Sequence, residues 1–148
     1  MKKNLVFLAV AAISLTLIIT GCSKKNDTPA YSAKQISGTY KLTASTATVP
    51  GFGDVDMMDA IEECAKDDLQ TFQEDGNYQY VDAGVTCSGS NDEEGHFLVK
   101  GNLLILNPDA NTPDTATIKS FSGTKLILST PVDYGGLTIV GNVTLTKQ

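Results

Sequence analysis

The sequence predicts an all-β protein, an antiparallel up-and-down eight-stranded barrel. Three observations predict it. From residue 34 to the C-terminus, short β-prone runs recur between glycine- and asparagine-bearing turns. Within each run apolar residues alternate with polar ones, so each strand has one face to bury. Threonine, which suits half-exposed strands, occurs 15 times after residue 21. Closing such a meander removes its edges. A two-sheet sandwich is the alternative that strands this short leave open.

The first strand is Gly38 to Thr46, with Tyr40 and Leu42 on one face. Val49 to Gly53 carries proline and two glycines and reads as a loop. From Asp54 to Lys66 the apolar positions Met57, Ala60, Ile61 and Cys64 fall at helical spacing, with Asp54, Asp56 and Asp59 at the start and Lys66 at the end. This predicts one short helix between the first two strands, packed across a mouth of the barrel. Leu69–Gln73 and Tyr78–Asp82 flank a hairpin turn at Glu74-Asp75-Gly76-Asn77. His96–Lys100 and Leu103–Asn107 flank Gly101-Asn102, and Ala116–Phe121 and Lys125–Ser129 flank Ser122-Gly123-Thr124. Leu137–Val140 and Val143–Thr146 end the chain, as one strand kinked near Gly141 or as two.

The residues before this body read as an address. Lys2 and Lys3 precede an apolar run from Leu5 to Ile19, whose 15 residues are short for a membrane span of about 20. The run ends in Ile19-Thr20-Gly21-Cys22, which resembles the bacterial lipobox. That resemblance implies a signal peptide over residues 1–21, a diacylglyceryl group on the Cys22 thiol and cleavage before it. Buried acyl chains contribute about 0.8 kcal/mol per methylene, so two or three make a lasting anchor. Ser23 is not the aspartate of inner-membrane retention, which favours the outer membrane without specifying its face. The polar stretch to Ala33, with Pro29, reads as a lipidated tether over 22–33, leaving 34–148 as the folded domain.

Charge narrows the partners. The chain of 148 residues has 11 lysines, no arginine and 17 acids, for a net charge of −6. Without Lys2 and Lys3 there are 9 lysines against 17 acids, a net of −8. Such a body is not built to displace counterions from nucleic acid, nor is it drawn to anionic lipid.

Several segments resemble bacterial lipocalin-like domain lipoproteins, a family of small calycin-like β-barrels. Ile36 to Leu42 is similar to the family's opening Gly-x-Trp-x-Leu, with Tyr40 in the tryptophan position. Cys64-Ala65-Lys66-Asp67-Asp68-Leu69-Gln70-Thr71-Phe72 followed by Asp75-Gly76-Asn77-Tyr78 resembles its Cys-x-Lys-Asp-Asp…Thr-Phe…Asp-Gly-x-Tyr signature. Cys87, Gly95-His96-Phe97 and the strands after Gly101 follow in the family's order. The resemblance spans about residues 34–147. It implies a lipid-anchored barrel with no catalytic residues and no agreed ligand.

With Cys22 acylated, Cys64 and Cys87 remain as a disulfide pair in an exported compartment. The competing reading, a redox or metal pair, lacks Cys-x-x-Cys spacing and a second histidine. The acids between Asp54 and Asp68, and Asp92-Glu93-Glu94, lack calcium-loop spacing and read as a solvated surface. His96 neighbours inward Phe97, so it points outward and no nucleophile accompanies it. No catalytic residue, metal or cofactor is expected.

The function expected is capture of a small apolar or amphiphilic ligand at the barrel mouth, without enzymatic chemistry. The interior candidates are Tyr40, Phe72, Tyr78, Tyr80, Phe97 and Leu104, with tyrosine hydroxyls orienting the ligand. Leu42, Leu106, Ile118, Leu126, Leu128 and Leu145 share that face. The rival is a packed structural or protein-interaction lipoprotein that uses its acidic helix and loops, with the protein partner unknown.

Overall fold

A computed structural model describes residues 30–89 and 92–148. The expected signal peptide, Cys22 and most of the tether lie outside the described residues. The last residues assigned to the tether, Tyr31 and Ala33, pack against the core, and the Tyr31 N–H donates to the Gly101 carbonyl (2.9 Å). They lead into helix α1 (Ala33–Ile36). Its start is a capping box: Ser32 Oγ accepts from the Gln35 N–H (3.3 Å), and Gln35 Oε1 accepts from the Ser32 N–H (2.9 Å).

Nine strands follow among the described residues: β1 (Gly38–Val49), β2 (Gly53–Asp56), β3 (Leu69–Phe72), β4 (Asn77–Val81), β5 (Glu93–Lys100), β6 (Leu103–Leu106), β7 (Asp114–Phe121), β8 (Lys125–Tyr134) and β9 (Leu137–Lys147). All pairings are antiparallel, and β1 pairs with β9 as well as β3. The result is a closed ring of eight strands, β1 and β3 to β9, with β2 attached to the outer part of β1. The expected eight-stranded barrel is therefore present. Its last strand is continuous through Gly141.

The stretch expected to be one helix is divided. Gly53–Asp56 is strand β2, and only Met58–Ala60 and Glu63–Lys66 are helical, as two 3-10 turns. The physical reason is the β1 edge. β3 covers only Gly38 to Lys41, so the backbone of Thr46 to Val49 is left for Gly53–Asp56 to pair with. A helix of this length is marginal alone. The positions expected on its buried face, Met57, Ala60, Ile61 and Cys64, are not buried.

All twelve residues nominated for the interior lie in or against one core cluster. Phe72 organises it, with ring centroids 5.1 Å from Phe97, 5.8 Å from Tyr78 and 6.0 Å from Tyr40. Each such pair contributes about 0.5–1.5 kcal/mol beyond its buried area. A bulge between Leu42 and Ala44 inverts the alternation of β1, so Ala47 is the next fully buried position. The α1 end of the barrel is sealed. Ile36 is wholly buried, and Lys147 Nζ donates to the Ser37 carbonyl (2.7 Å) while lying 5.9 Å from the Tyr40 ring centroid. The β8–β9 hairpin at the other end turns on Gly135 and Gly136, with φ of 62° and 84°, the left-handed pair that this tight turn requires.

Candidate functional site at the barrel mouth

The end of the barrel opposite α1 carries the connections β1–β2, β4–β5, β6–β7 and β8–β9. Here the interior opens into a pocket of about 140 Å³ between β3, β6, β7 and β8. Its floor is apolar: Phe72, Leu104, Leu106, Ala116 and Leu128. Its rim is polar: Gln70, Asp114, Thr115 and Thr130. Strand alternation explains the change. Gln70 is two residues before inward Phe72, Thr130 two after inward Leu128, and Asp114 two before Ala116, so one set of positions runs from greasy depth to wet edge.

Of the interior candidates, Phe72 and Leu104 line this pocket. The others do not line it, and the hydroxyls of Tyr40 and Tyr80 are engaged within the chain. Tyr40 is wholly buried, and its hydroxyl donates to the Ile36 carbonyl (2.8 Å) at the sealed end. The Tyr80 hydroxyl donates to Asp68 Oδ2. Tyr78 and Phe97 are buried around Phe72, where they support the pocket from behind. Burial pushes the Tyr40 phenol above its usual pKa. Burial, followed by the negative fields of Glu93 and Asp114, does the same to Tyr78. The polar partners offered to a ligand are instead Gln70, Asp114, Thr115 and Thr130. For Gln70, Asp114 and Thr130 the signal in the sequence was a polar residue on the inward parity of a strand; Thr115, on the opposite parity, carried no such signal.

The adjoining β4–β5 connection is held by acids and by a disulfide. Asp68, 5% exposed, accepts from the Tyr80 hydroxyl and from the Ala83 N–H (3.2 Å). Asp67 accepts from the Val85 N–H (3.1 Å), and Asp82 from the Cys87 N–H (3.4 Å). Cys64 and Cys87 are bridged, with Cα atoms 5.2 Å apart, which ties the second 3-10 turn to this connection. These carboxylates therefore order a loop. Among the described residues, the potential metal-ligand set Glu62, Cys64 and Cys87 has both sulfurs committed to the disulfide.

A second concavity, about 450 Å³, lies outside the barrel over the β4–β5 ladder, flanked by Gln73, Asn77, Gln79, Glu94 and His96. Gly95 contributes to its floor. A Cβ there would stand 2.1 Å from Asn107 Oδ1, so the close approach of the Asn107 carboxamide requires glycine. His96 is exposed on this outer face.

No curated protein matches the chain. The family model of the lipocalin-like domain matches residues 24–128, more than half of the chain, and its expected architecture is the closed antiparallel barrel described above. The chain belongs to the lipocalin-like domain family.

Proposed function

We propose that this is a lipid-anchored cell-envelope protein that holds the small apolar end of an amphiphilic ligand in the barrel mouth. The observation that carries the reading is the pocket of about 140 Å³, with its apolar floor and polar rim. An apolar cavity of about 150 Å³ accommodates benzene, whereas whole drug-sized ligands need about 300 Å³ or more. The ligand therefore inserts a ring of that size or a few methylenes, and its remainder stays at the rim. Gln70 and Thr130 offer hydrogen bonds there, and the exposed Asp114 carboxylate favours a donor or a cation in the head group. Lipocalin-like domains are typically non-enzymatic binding proteins, which agrees with this reading. The anchor rests on the sequence of residues 1–22, and the outer membrane on Ser23 following Cys22.

Native mass spectrometry of the acyl-free body, purified from its own envelope, tests the binding half. A co-purifying small molecule is expected. A body that carries none, or that carries a polypeptide instead, overturns it. Cell fractionation of Cys22→Ala tests the anchor: the variant is expected in the soluble fraction, and retention in the membrane refutes the assignment.

A further inference from the structure

The eight-stranded ring is closed, but β2 lies outside it and has one partner. β2 and β3 occupy successive lengths of the same β1 edge, Thr46 to Val49 and Gly38 to Lys41. β4 covers β3 and ends at Val81, so its ladder stops before reaching β2. Among the described residues no strand pairs with the outer edge of β2, and all four of its residues are exposed.

The hydrogen-bond phase of that edge follows from its neighbour. The Met57 N–H donates to the Ser45 carbonyl (2.8 Å), so odd-numbered residues of this segment bond to β1. By the alternation of an antiparallel ladder, Asp54 and Asp56 turn their N–H and C=O groups to the open edge. Their side chains also share one face, opposite that of Val55. Val55 is 43% exposed, and Phe52 at the hairpin tip is 85% exposed. The acidic character continues along the chain through Asp59, Glu62 and Glu63, all exposed.

An edge of this kind discriminates between partners. Pairing with a second copy of itself would bring aspartates against aspartates, which opposes homotypic addition. A basic strand meets the opposite situation. We propose that the open edge of β2 accepts an extended polypeptide segment in which basic and apolar residues alternate. The guest pairs its backbone with Asp54 and Asp56. Two of its cations, separated by one residue, lie directly across from the two carboxylates. The intervening apolar side chain packs beside Val55 on the other face. This surface is separate from the barrel pocket and does not depend on a ligand there.

The probe is a short end-blocked peptide alternating lysine and valine, with its glutamate–valine counterpart as control, titrated into the acyl-free body. The lysine peptide is expected to shift the amide resonances of residues 52–57 and to slow hydrogen exchange at the Asp54 and Asp56 amides. The glutamate peptide is expected to do neither. Asp54 Oδ1 accepts from the Thr48 hydroxyl (2.6 Å) and Asp56 Oδ1 from the Met58 N–H (2.8 Å). Asp54→Asn with Asp56→Asn removes both charges and keeps an acceptor oxygen for each of these bonds, so binding should weaken at least tenfold while the melting temperature is unchanged, which separates lost recognition from lost folding. Equal binding of both peptides, binding without protection at Asp54 and Asp56, or no binding of the lysine peptide would each overturn the proposal.

Discussion

The hydroxyl of Tyr40 donates to the carbonyl of Ile36 across 2.8 Å, joining the first inward side chain of β1 to the helix that plugs the barrel. Both residues are wholly buried. A helix of four residues has carbonyls that no later turn satisfies, and Tyr40 supplies a donor to one of them. Here the phenol reaches back along the chain.

Tyr40→Phe keeps the ring and its contact with Phe72 but leaves the Ile36 carbonyl without that donor. A buried acceptor left unmet costs about 1–3 kcal/mol. Thermal unfolding should therefore move down by several degrees, at roughly 3–6 °C per kcal/mol for a body of this size. An unchanged midpoint would show that water replaces the phenol at no cost.

Alkaline pH should destabilise the fold through Tyr40 and Tyr78. Both pKa values are raised above 10.0 in the folded chain, Tyr40 by burial and Tyr78 by burial first and then by Glu93 and Asp114. The folded state then holds the phenolic protons more tightly than the unfolded state does. Their contribution is fully present below about pH 10 and is lost as the pH rises through the folded values. Urea midpoints measured at about pH 9 and about pH 11 should fall between the two, and fall less in Tyr78→Phe. The same decrement in that variant would rule out Tyr78 as a source.

Much of the architecture was legible because the interior follows strand parity. Tyr40, Phe72, Tyr78, Phe97, Leu104 and Leu126 are all buried, as alternation places them. The reading failed where tertiary context outweighed local pattern. Gly53–Asp56 has helical spacing on its C-terminal side, yet an unsatisfied β1 edge recruits it as a strand. Ala47 was missed because a bulge, which no residue type announces, changes the parity after Leu42. Ser32 and Gln35 form a capping box that the sequence does contain, but four residues of helix offer little periodicity. At the site, parity located Phe72 and Leu104. The partners of the Tyr40 and Tyr80 hydroxyls were not legible, because alternation gives the direction of a side chain and not the partner its hydroxyl meets.

The disulfide should matter more to stability than to binding. It closes a loop whose ends are 23 residues apart, a span for which the unfolded-chain constraint contributes about 3 kcal/mol. The double replacement Cys64→Ser with Cys87→Ser leaves no unpaired thiol and should lower the denaturation midpoint accordingly. The pocket lies between β3, β6, β7 and β8, none of which carries either cysteine, so ligand retention below the melting transition should persist. Equal stability of the bridged and serine forms would show that the unfolded chain is already compact around this loop.

Filling the mouth pocket provides the sharpest separation of binding from folding. Ala116 is half-buried on β7 and faces the cavity between Leu104 and Leu128. Ala116→Leu adds three carbons into space of about 140 Å³, so it should occupy much of the pocket without displacing the aromatic cluster behind it. A substitution that fills a void avoids the about 1–3 kcal/mol penalty of overpacking. The melting temperature should hold or rise, while the small molecule expected with the parent protein in native mass spectra should be absent. Leu104→Ala acts in the opposite sense: it enlarges the cavity, costs about 2–5 kcal/mol and should admit a bulkier apolar group. If Ala116→Leu retained the ligand at full occupancy, the molecule would have to bind elsewhere, and the outer trough beside His96 would be the next surface to block.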